Sequence, residues 1–566
     1  MGWFGGYLTR APRPAVPVGA QILLQDPPVW SDGVPVRLVD GPDGRRLVVF
    51  GPCGATGDDL DRVVWAGDLR SLDSAATAWA GAYTLLYGDG HGGQTVWADP
   101  AGACPLYTCT FNGSTVWASS SVALAALCGS LPDAGWMAVH LVDPTGWTPG
   151  FSAWSSVEQV APGHRVAAGL GTEPVPVPYW TRPTLSREEA VDRLRDDLAE
   201  AVRIRVAGRP ASSDLSGGLD SSTLAALAAR CGPVTGVTYH PEGIKAGGDV
   251  DHARLVARAH PAIRHEFMAL GDSHLPFSEL DALPLTDEPA PSAITVAQFT
   301  AQLRFLADHG AVVHLTGDGG DNLFMPPPVH LADLARSGRW LRLAADAQTW
   351  ARLYRQSPWP LLASAVRRPR TLAGASRPMP WMTDCAKELA APVTAAYPDT
   401  LSMGHADRAL LAEARYVGRT AATENQLAAA HGIEMHNPFT DTRVVEAALA
   451  APAVERWSAR RYKPLLSDVV AGLLPPPVVR RGAKGMFAVD HHHGLRANLQ
   501  RTLDLADGRL ADLGLINPAA VRATLRRAVL GVDIPWGRIE PVLGAELWLR
   551  AAEKVDQWIT WEERAA

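Results

Sequence analysis

Short runs of apolar residues, separated by Gly, Asp and Pro, dominate the chain up to about residue 180. Examples are Leu47–Phe50, Tyr83–Tyr87 and Thr95–Ala98, which turn-forming residues bound on both sides. Runs this short with such boundaries are typical of β-strands, since an amphipathic helix needs a longer pattern. The first part of the chain is therefore predicted to be rich in β-structure.

The pattern changes after a break at Thr181–Thr184. Ser186 is followed three residues later by Glu189, which is the signature of a capping box at the start of a helix. Apolar residues then recur at helical spacing along one face, at Val191, Leu194, Leu198 and Val202. We therefore predict two domains, residues 1–182 and 183–566.

In the second domain, short apolar strands alternate with helical segments. The predicted order is a strand ending at Leu215, helix Ser222–Arg230, strand Val234–Tyr239, helix Val250–Arg258 and strand Ala311–Leu315. This alternation is typical of an α/β domain with a parallel sheet. Beyond about residue 330 the composition is rich in Ala, Arg and Leu, which predicts mostly helix.

Composition and charge exclude several classes of function. The 566 residues are 47% hydrophobic and 20% charged, with a formal net charge of -7. A mildly acidic chain gives no electrostatic case for nucleic acid as a partner. No apolar stretch is long enough to span a bilayer, and the start of the chain lacks the features of a signal peptide. The six cysteines form no C-x-x-C pair, so we expect free thiols in the cytoplasm.

The most specific local motif is Ser-Gly-Gly-Leu-Asp-Ser-Ser at residues 216–222, between a predicted strand and a predicted helix. Its glycines let backbone N–H groups approach an anion, and the serine hydroxyls and the helix N-terminus add donors. Asp220 is suited to hold Mg²⁺ against pyrophosphate oxygens. A glycine turn capped by serines is the structural alternative. The motif is not a Walker loop, because no Gly-Lys-Ser/Thr closes it. The predicted nucleotide-binding residues here are Leu215, Ser216, Gly217, Gly218, Asp220, Ser221 and Ser222.

This motif resembles the ATP-pyrophosphatase loop of the asparagine synthetase superfamily, and the resemblance extends over nearly the whole chain. The superfamily has a second Gly-rich loop after a later strand, matched here by Thr-Gly-Asp-Gly-Gly-Asp at 316–321. The resemblance implies ATP and Mg²⁺ as cofactors, with Gly317 at the nucleotide and Asp220 and Asp321 on the metal. Turn formation in a Gly/Asp-rich loop is the alternative role of Asp321.

Three later segments also match the superfamily. Glu434 lies in a segment like Glu-x-Arg-x-Pro-Phe-Leu-Asp, although His436 stands where asparagine synthetases have Arg. Lys463 and Lys484 match two late lysine segments, the second of which stabilises the adenylate in β-lactam synthetases. The resemblance implies catalytic roles for Lys463 and Lys484. Glu434 is either a catalytic base or a partner in a structural ion pair.

The first domain resembles the glutamine-hydrolysing domain of the same superfamily, which has an Ntn-hydrolase-like αββα fold. Matching segments include Gly81–Leu86, Ala98–Tyr107 and Pro162–His164. That domain works through a cysteine at position 2, and this chain has Gly2 there. We therefore expect an inactive glutaminase-type domain, so that the nitrogen nucleophile must come from a substrate.

Two branches of the superfamily use a substrate amine: the β-lactam synthetases and the lasso peptide macrolactam synthetases, or lasso cyclases. The 316–321 string is most similar to that of the lasso cyclases, whereas β-lactam synthetases have Tyr where this chain has Asp318. Asp287–Pro289 and Gly494–Arg496 also fit the lasso cyclases. The resemblance implies ATP-dependent adenylation of an Asp or Glu side chain in a leader-cleaved precursor peptide. Attack by the peptide's N-terminal amine would then close an isopeptide ring, with Asp318 or Glu434 as base.

Partners and alternatives follow from the same resemblance. The chain shows no protease site and no leader-binding module, so a leader-recognition protein and a leader peptidase are expected to be separate proteins. One alternative is a β-lactam-synthetase-like or asparagine-synthetase-like ligase acting on a small amino acid. The other is a catalytically inactive scaffold of a peptide-maturation complex, against which intact Asp220 and Asp321 argue.

Overall fold

The computed structural model describes residues 2–143, 150–167, 174–243, 247–327, 329–353, 355–367, 379–395, 403–458, 461–481 and 488–563. Among these residues, the first part of the chain contains two six-stranded sheets with antiparallel pairing. In spatial order the first sheet comprises Glu158–Gln159, Tyr107–Phe111, Ser114–Ala118, Trp3–Tyr7, Pro28–Asp32 and Gln21–Gln25. The second comprises Val177–Pro178, His164–Ala167, Gln94–Trp97, Thr84–Gly88, Arg46–Phe50 and Val36–Asp40.

The two sheets pack face to face through side chains that both contribute. Phe4 stacks on Phe50 at 4.2 Å between ring centroids, and Trp117 packs edge-on against both rings. Helices Gly57–Ala66 and Leu69–Ala78 cover the outer face of the second sheet. Helices Ser121–Cys128 and Ala134–Val142 cover the outer face of the first. The order of layers is therefore αββα, which confirms the predicted fold class of this part of the chain.

A parallel five-stranded sheet forms the centre of the second part in the described residues. Its spatial order is Ile263–Leu270, Val234–Pro241, Ala211–Asp214, Val313–Leu315 and Glu434–His436. The helices around this sheet include Arg187–Val206, Leu219–Cys231, Gly248–Ala259, Val296–Asp308, Gly320–Phe324, His405–Ala429, Thr442–Ala450 and Pro464–Val469. The predicted parallel α/β fold is confirmed, and the predicted capping box is present, since Ser186 and Glu189 bind each other's backbone N–H groups.

The rest of the described chain is mainly helical, as its composition predicts. One group consists of His330–Arg336, Trp340–Leu353 and Pro358–Val366, while Asp384–Ala395 packs against helix Ala134–Val142. A C-terminal group includes Ala488–Ala497, Leu499–Asp504, Pro518–Val529 and Trp536–Ala552. The C-terminal group shares one hydrophobic core with the first sheet, where Trp154 packs against Trp548 at 5.0 Å. The last strand, Trp561–Glu563, pairs with Ala15–Pro17.

Candidate active site

The motif at 215–222, which we call the phosphate loop, joins strand Ala211–Asp214 to helix Leu219–Cys231. The hydroxyl of Ser221 accepts a hydrogen bond from the Ser216 N–H at 3.1 Å and lies 2.8 Å from the Ser216 hydroxyl. The N–H of Gly218, the residue before the helix, reaches the Ser216 hydroxyl at 3.3 Å. The loop therefore folds back onto a helix N-terminus, where anions bind favourably.

Glycines bring the phosphate loop and the 316–321 loop into close contact. A Cβ atom at Gly317 would lie 2.9 Å from the Ser221 nitrogen, and one at Gly320 would lie 2.3 Å from the carboxyl carbon of Asp220. Gly217 has φ +73 and its Cβ position lies 2.4 Å from the Asp249 carbonyl oxygen, so this position requires glycine. Because of these contacts, Asp220 and Asp321 lie at one edge of the sheet.

Lys463 lies between the two aspartates. Its side chain is fully buried, and its ammonium group forms ion pairs with Asp220 and, at 2.6 Å, with Asp321. The Tyr462 hydroxyl donates a hydrogen bond to the same oxygen of Asp321 at 3.3 Å. Burial and the two carboxylates raise the pKa of Tyr462, so it stays a neutral donor. Two carboxylates that converge on one cation also suit Mg²⁺, which takes its remaining ligands from phosphate and water.

A cleft of about 630 Å³ extends from these groups along the carboxyl ends of the parallel strands. Of the predicted nucleotide residues, Ser216, Gly218, Asp220, Ser221 and Gly317 line it, together with Asp321. Leu215 and Ser222 are buried behind the loop, and Gly217 packs against helix Gly248–Ala259. The lining also has a largely apolar part, formed by Val237, Tyr239, Leu270, Phe299, Leu303, Leu306 and Met435. A lining with both polar and apolar parts suits a nucleotide, which has charged phosphates and a largely apolar base.

Asp318 lines the cleft together with Glu424, an acid that the sequence motifs do not identify. Glu424 accepts hydrogen bonds from the backbone N–H and the hydroxyl of Ser292, both at 2.7 Å. Burial raises the pKa of Glu424 to about 7, the hydrogen bonds from Ser292 oppose this shift, and the nearby charge of Asp318 adds to it. A carboxylate with a pKa near neutrality is suited to accept a proton from an amine.

Glu424 lies on the long helix His405–Ala429, which we call the central helix, and no local motif marks it. The only signal in the sequence is a polar stripe at helical spacing, formed by Tyr416, Thr420 and Glu424, which line the cleft together. In a sequence, such a stripe is indistinguishable from an ordinary solvated helix face.

Glu434, a predicted base, has a different environment. It forms a bidentate ion pair with Arg209, at 2.9 and 2.6 Å, and lies 3.6 Å from a ring nitrogen of His436. The neighbouring His436 ring and the pairing with Arg209 lower the pKa of Glu434 to about 2. A carboxylate with so low a pKa is a weak base, and Glu434 is not among the residues that line the cleft. The geometry therefore favours the ion-pair alternative. The other predicted catalytic lysine, Lys484, lies outside the described residues.

The N-terminal strand leaves little room for a side chain at position 2. A Cβ atom at Gly2 would lie 3.1 Å from both the Gly33 carbonyl oxygen and a Val34 methyl group. Loss of glutamine hydrolysis stays a prediction.

Comparison with protein families decides the assignment. The model of the family described as asparagine synthase matches residues 193–550, which contain both glycine-rich loops, Lys463 and Glu424. The chain belongs to the asparagine synthase family. Membership of the asparagine synthase family implies an ATP-dependent, AMP-forming amide ligase.

Solved structures show more distant similarity. Glutamine phosphoribosylpyrophosphate amidotransferase from B. subtilis, complexed with ADP and GMP, is 10% identical with a TM-score of 0.22, covering 56% of this chain and 81% of its own. The structure titled as the allosteric regulatory enzyme of purine biosynthesis is 11% identical with a TM-score of 0.18, covering 44% of this chain and 58% of its own. These TM-scores are too low to add to the assignment. No curated protein matches the sequence. Among the described helices, none has the length and apolar character that crossing a bilayer requires.

Proposed function

We propose that this member of the asparagine synthase family is a lasso peptide cyclase. It would adenylate an Asp or Glu side chain of a leader-cleaved precursor peptide and then join that carbonyl to the peptide's own N-terminal amine. The products would be a macrolactam, AMP and pyrophosphate. Because the reaction consumes ATP, the proposal places it in the cytoplasm, with a leader-recognition protein and a leader peptidase as separate partners.

In the first step, a carboxylate oxygen of the peptide attacks the α-phosphorus of ATP. The phosphate loop holds the departing pyrophosphate through the backbone N–H groups and hydroxyls around Ser216 and Ser221. Asp220 and Asp321 would hold Mg²⁺, which when bound neutralises charge on the phosphates. Lys463 keeps the two carboxylates side by side through its ion pairs with both.

In the second step, the α-amine attacks the acyl-adenylate. Its pKa is about 8 in a free peptide, so a base of moderate strength is sufficient. Glu424 accepts the proton in this proposal, and burial, with an added contribution from the charge of Asp318, keeps the pKa of Glu424 high enough for that role. Binding both ends of one peptide in a single cleft makes ring formation a proximity effect.

The single observation that carries the proposal is a pair of acidic residues in the cleft. Asp318, which belongs to the loop most similar to that of lasso cyclases, and Glu424 both line the cleft, and burial together with the charge of Asp318 raises the pKa of Glu424. A phosphate loop and a buried base in the same cleft provide for both half-reactions.

The test uses the full chain with ATP, Mg²⁺ and synthetic peptides that have a free α-amine and one internal Asp or Glu. We expect AMP release that depends on the acidic side chain, and a product lighter than the peptide by one water. An N-acetylated peptide should support pyrophosphate release but yield no ring, and an Asn or Gln replacement should abolish both. AMP release with aspartate or a β-amino acid, and with none of the peptides, would overturn the proposal.

A further inference from the structure

A second chamber of about 190 Å³ opens beside the reaction cleft. Four parts of the chain enclose it: helix Ala134–Val142 of the first domain, segment 288–294, the central helix and the C-terminal helix Trp536–Ala552. Pro291, Tyr416 and Thr420 line both the cleft and this side chamber. The two spaces therefore adjoin at these residues, of which Thr420 lies one helical turn before Glu424.

The side chamber contains buried polar atoms that no described residue satisfies. His140 stacks on Trp136 at 5.2 Å, and neither of its ring nitrogens has a hydrogen-bond partner in the described part of the chain. Glu288 is 4% exposed, and one of its oxygens pairs with Arg419 at 2.9 Å. The other oxygen of Glu288 is buried and has no hydrogen-bond partner among the described residues. Leaving such atoms unsatisfied costs about 1–3 kcal/mol each, so their presence around one space indicates that a ligand binds there.

The chemistry of the lining favours a donor-rich ligand of modest size. Burial lowers the pKa of His140 to about 3, so its neutral ring offers one donor and one acceptor. Burial raises the pKa of Glu288 to about 7, so a donor or a cation nearby would stabilise its carboxylate. Glu540 adds a second carboxylate to the lining. At about 30 Å³ per water molecule, the volume corresponds to roughly six waters, which is the scale of one amino-acid residue.

We propose that the side chamber is the subsite for the amine-bearing end of the substrate and takes the first residue of the peptide. The inference rests on the proposed function, since it names where the nucleophile of that reaction binds. With the first side chain in the chamber, between His140 and Gly537, the α-amine lies at the boundary formed by Tyr416 and Thr420. From there it faces Glu424 on one side and the acyl-adenylate on the other.

Gly537 offers a way to fill the chamber without a clash. A Cβ atom at this helical position meets no atom within 4 Å, so Gly537→Leu adds volume to the lining. Leucine also has a higher helix propensity than glycine, which favours a folded variant. Gly57→Leu is a matched control, because Gly57 is the first residue of an exposed helix and its Cβ position also meets no atom within 4 Å.

The experiment compares peptides that begin with Gly, Ser or Leu and are otherwise identical, and it counts rings formed per AMP released. In Gly537→Leu we expect this ratio to fall on the order of tenfold for the Leu peptide and little for the Gly peptide. The lost product should be linear peptide, from hydrolysis of the adenylate. In wild type we expect the Ser peptide to form more rings per AMP than the Gly peptide, because its hydroxyl can hydrogen-bond to the unpartnered nitrogens of His140. His140→Phe keeps the stacking on Trp136 but removes both nitrogens, so the Ser peptide should lose this advantage. Gly57→Leu should behave as wild type.

The outcomes separate the two proposals. If wild type releases no AMP with any peptide, the proposed function fails. If wild type forms rings but Gly537→Leu lowers the ratio equally for all three peptides, or not at all, the side chamber does not bind the first residue. If Gly537→Leu proves unstable by thermal unfolding, His140→Phe with the Ser and Gly peptides decides the question in the same way.

Discussion

At the residue scale, Lys463 has the most constrained environment of the site. It is a fully buried ammonium whose ion-pair partners, Asp220 and Asp321, are the predicted metal ligands. A buried charge is tolerated only when it is paired, and removing one partner leaves the others uncompensated. Lys463 therefore offsets the repulsion between two carboxylates that a metal ion would otherwise have to neutralise.

Lys463→Met should make folding dependent on Mg²⁺. We expect a loss of roughly 2 kcal/mol in EDTA, less than for a fully buried pair because Asp321 is 59% exposed. Adding Mg²⁺ should restore part of the loss, because the cation can bind between the carboxylates. Thermal unfolding with and without Mg²⁺ measures both effects. The control is Lys387→Met, which removes an exposed lysine paired with Asp384. Equal Mg²⁺ responses in the two variants would contradict the prediction.

Glu424 should set the pH dependence of ring closure. Its pKa is raised to about 7, so below that pH it is protonated and cannot accept a proton from the amine. The rate of ring formation should rise as pH increases through about 7 and then level off. Glu424→Gln should remove this dependence on pH and lower the rate of ring formation by roughly 100-fold or more, with a smaller effect on pyrophosphate release.

A control on the same helix is Glu413→Gln, because Glu413 accepts a hydrogen bond from Asn322 at 2.7 Å but does not line the cleft. The pH–rate profile of this variant should keep its limb near pH 7. A profile for Glu424→Gln with the same shape as that of wild type would assign the proton transfer to another group, with Asp318 as the first candidate.

At the scale of elements, two strand–loop–helix units form the site by packing their loops together. The contact is so close that side chains at Gly317 or Gly320 would overlap with Ser221 or Asp220. Parallel strands align their carboxyl ends at one edge, and glycine allows the loops that follow to touch. The phosphate-binding and metal-binding groups thus come together through backbone contacts.

Gly217→Ala should lower the stability of the protein, whereas Gly218→Ala should weaken ATP binding. Gly217 has φ +73 and its Cβ position lies 2.4 Å from the Asp249 carbonyl oxygen, so alanine should cost about 2 kcal/mol of stability. Gly218 has φ -79, and a Cβ atom there would lie 3.3 Å from the Ser216 hydroxyl, so alanine requires only a small shift of that side chain. Its methyl group should instead weaken ATP binding, because Gly218 lines the cleft. Thermal unfolding and calorimetric ATP titration distinguish the two effects, and equal melting temperatures for the variants would contradict the assignment.

At the scale of the whole molecule, buried polar contacts join the αββα part of the chain, the predicted first domain, to the parallel-sheet part. The Asp287 carboxylate accepts hydrogen bonds from the hydroxyls of Ser120 and Ser121 and from the Val122 N–H, at the start of a helix in the first domain. Gln426 of the central helix donates to its other oxygen. Asp287 therefore connects the first domain to the helix that carries Glu424.

Asp287→Ala should destabilise both domains together. It leaves several buried donors without an acceptor, for which we expect a loss of roughly 3 kcal/mol. Calorimetry should show one transition at a lower temperature, because the domains share one core. Asp281→Ala is the control, since Asp281 is 71% exposed and pairs only with an exposed Arg501 among the described contacts; its effect should stay within about 0.5 kcal/mol. Two separate transitions would show that the domains unfold independently.

Short-range patterns in the sequence were sufficient for the fold class and the phosphate loop. Strand and helix periodicity, the capping box at Ser186 and Glu189, and the glycine-rich strings at 216–222 and 316–321 depend on neighbours within a few residues. Such patterns are visible without knowledge of the packing. The positions of Asp220 and Asp321 near each other also followed, because the ends of adjacent parallel strands meet at one edge.

The assembled fold was needed wherever a residue's role depends on partners far along the chain. Glu424 resembles any polar residue on a helix until burial and Asp318 raise its pKa. Glu434 lies in a segment that resembles a family motif, which suggested a catalytic role. In the fold it instead forms an ion pair with Arg209, which is distant in the sequence. From the sequence alone, Lys463 could equally be a solvent-exposed lysine. Only the packing of the fold places it between two aspartates. Desolvation and Coulomb energy depend on three-dimensional distance, which sequence spacing does not specify.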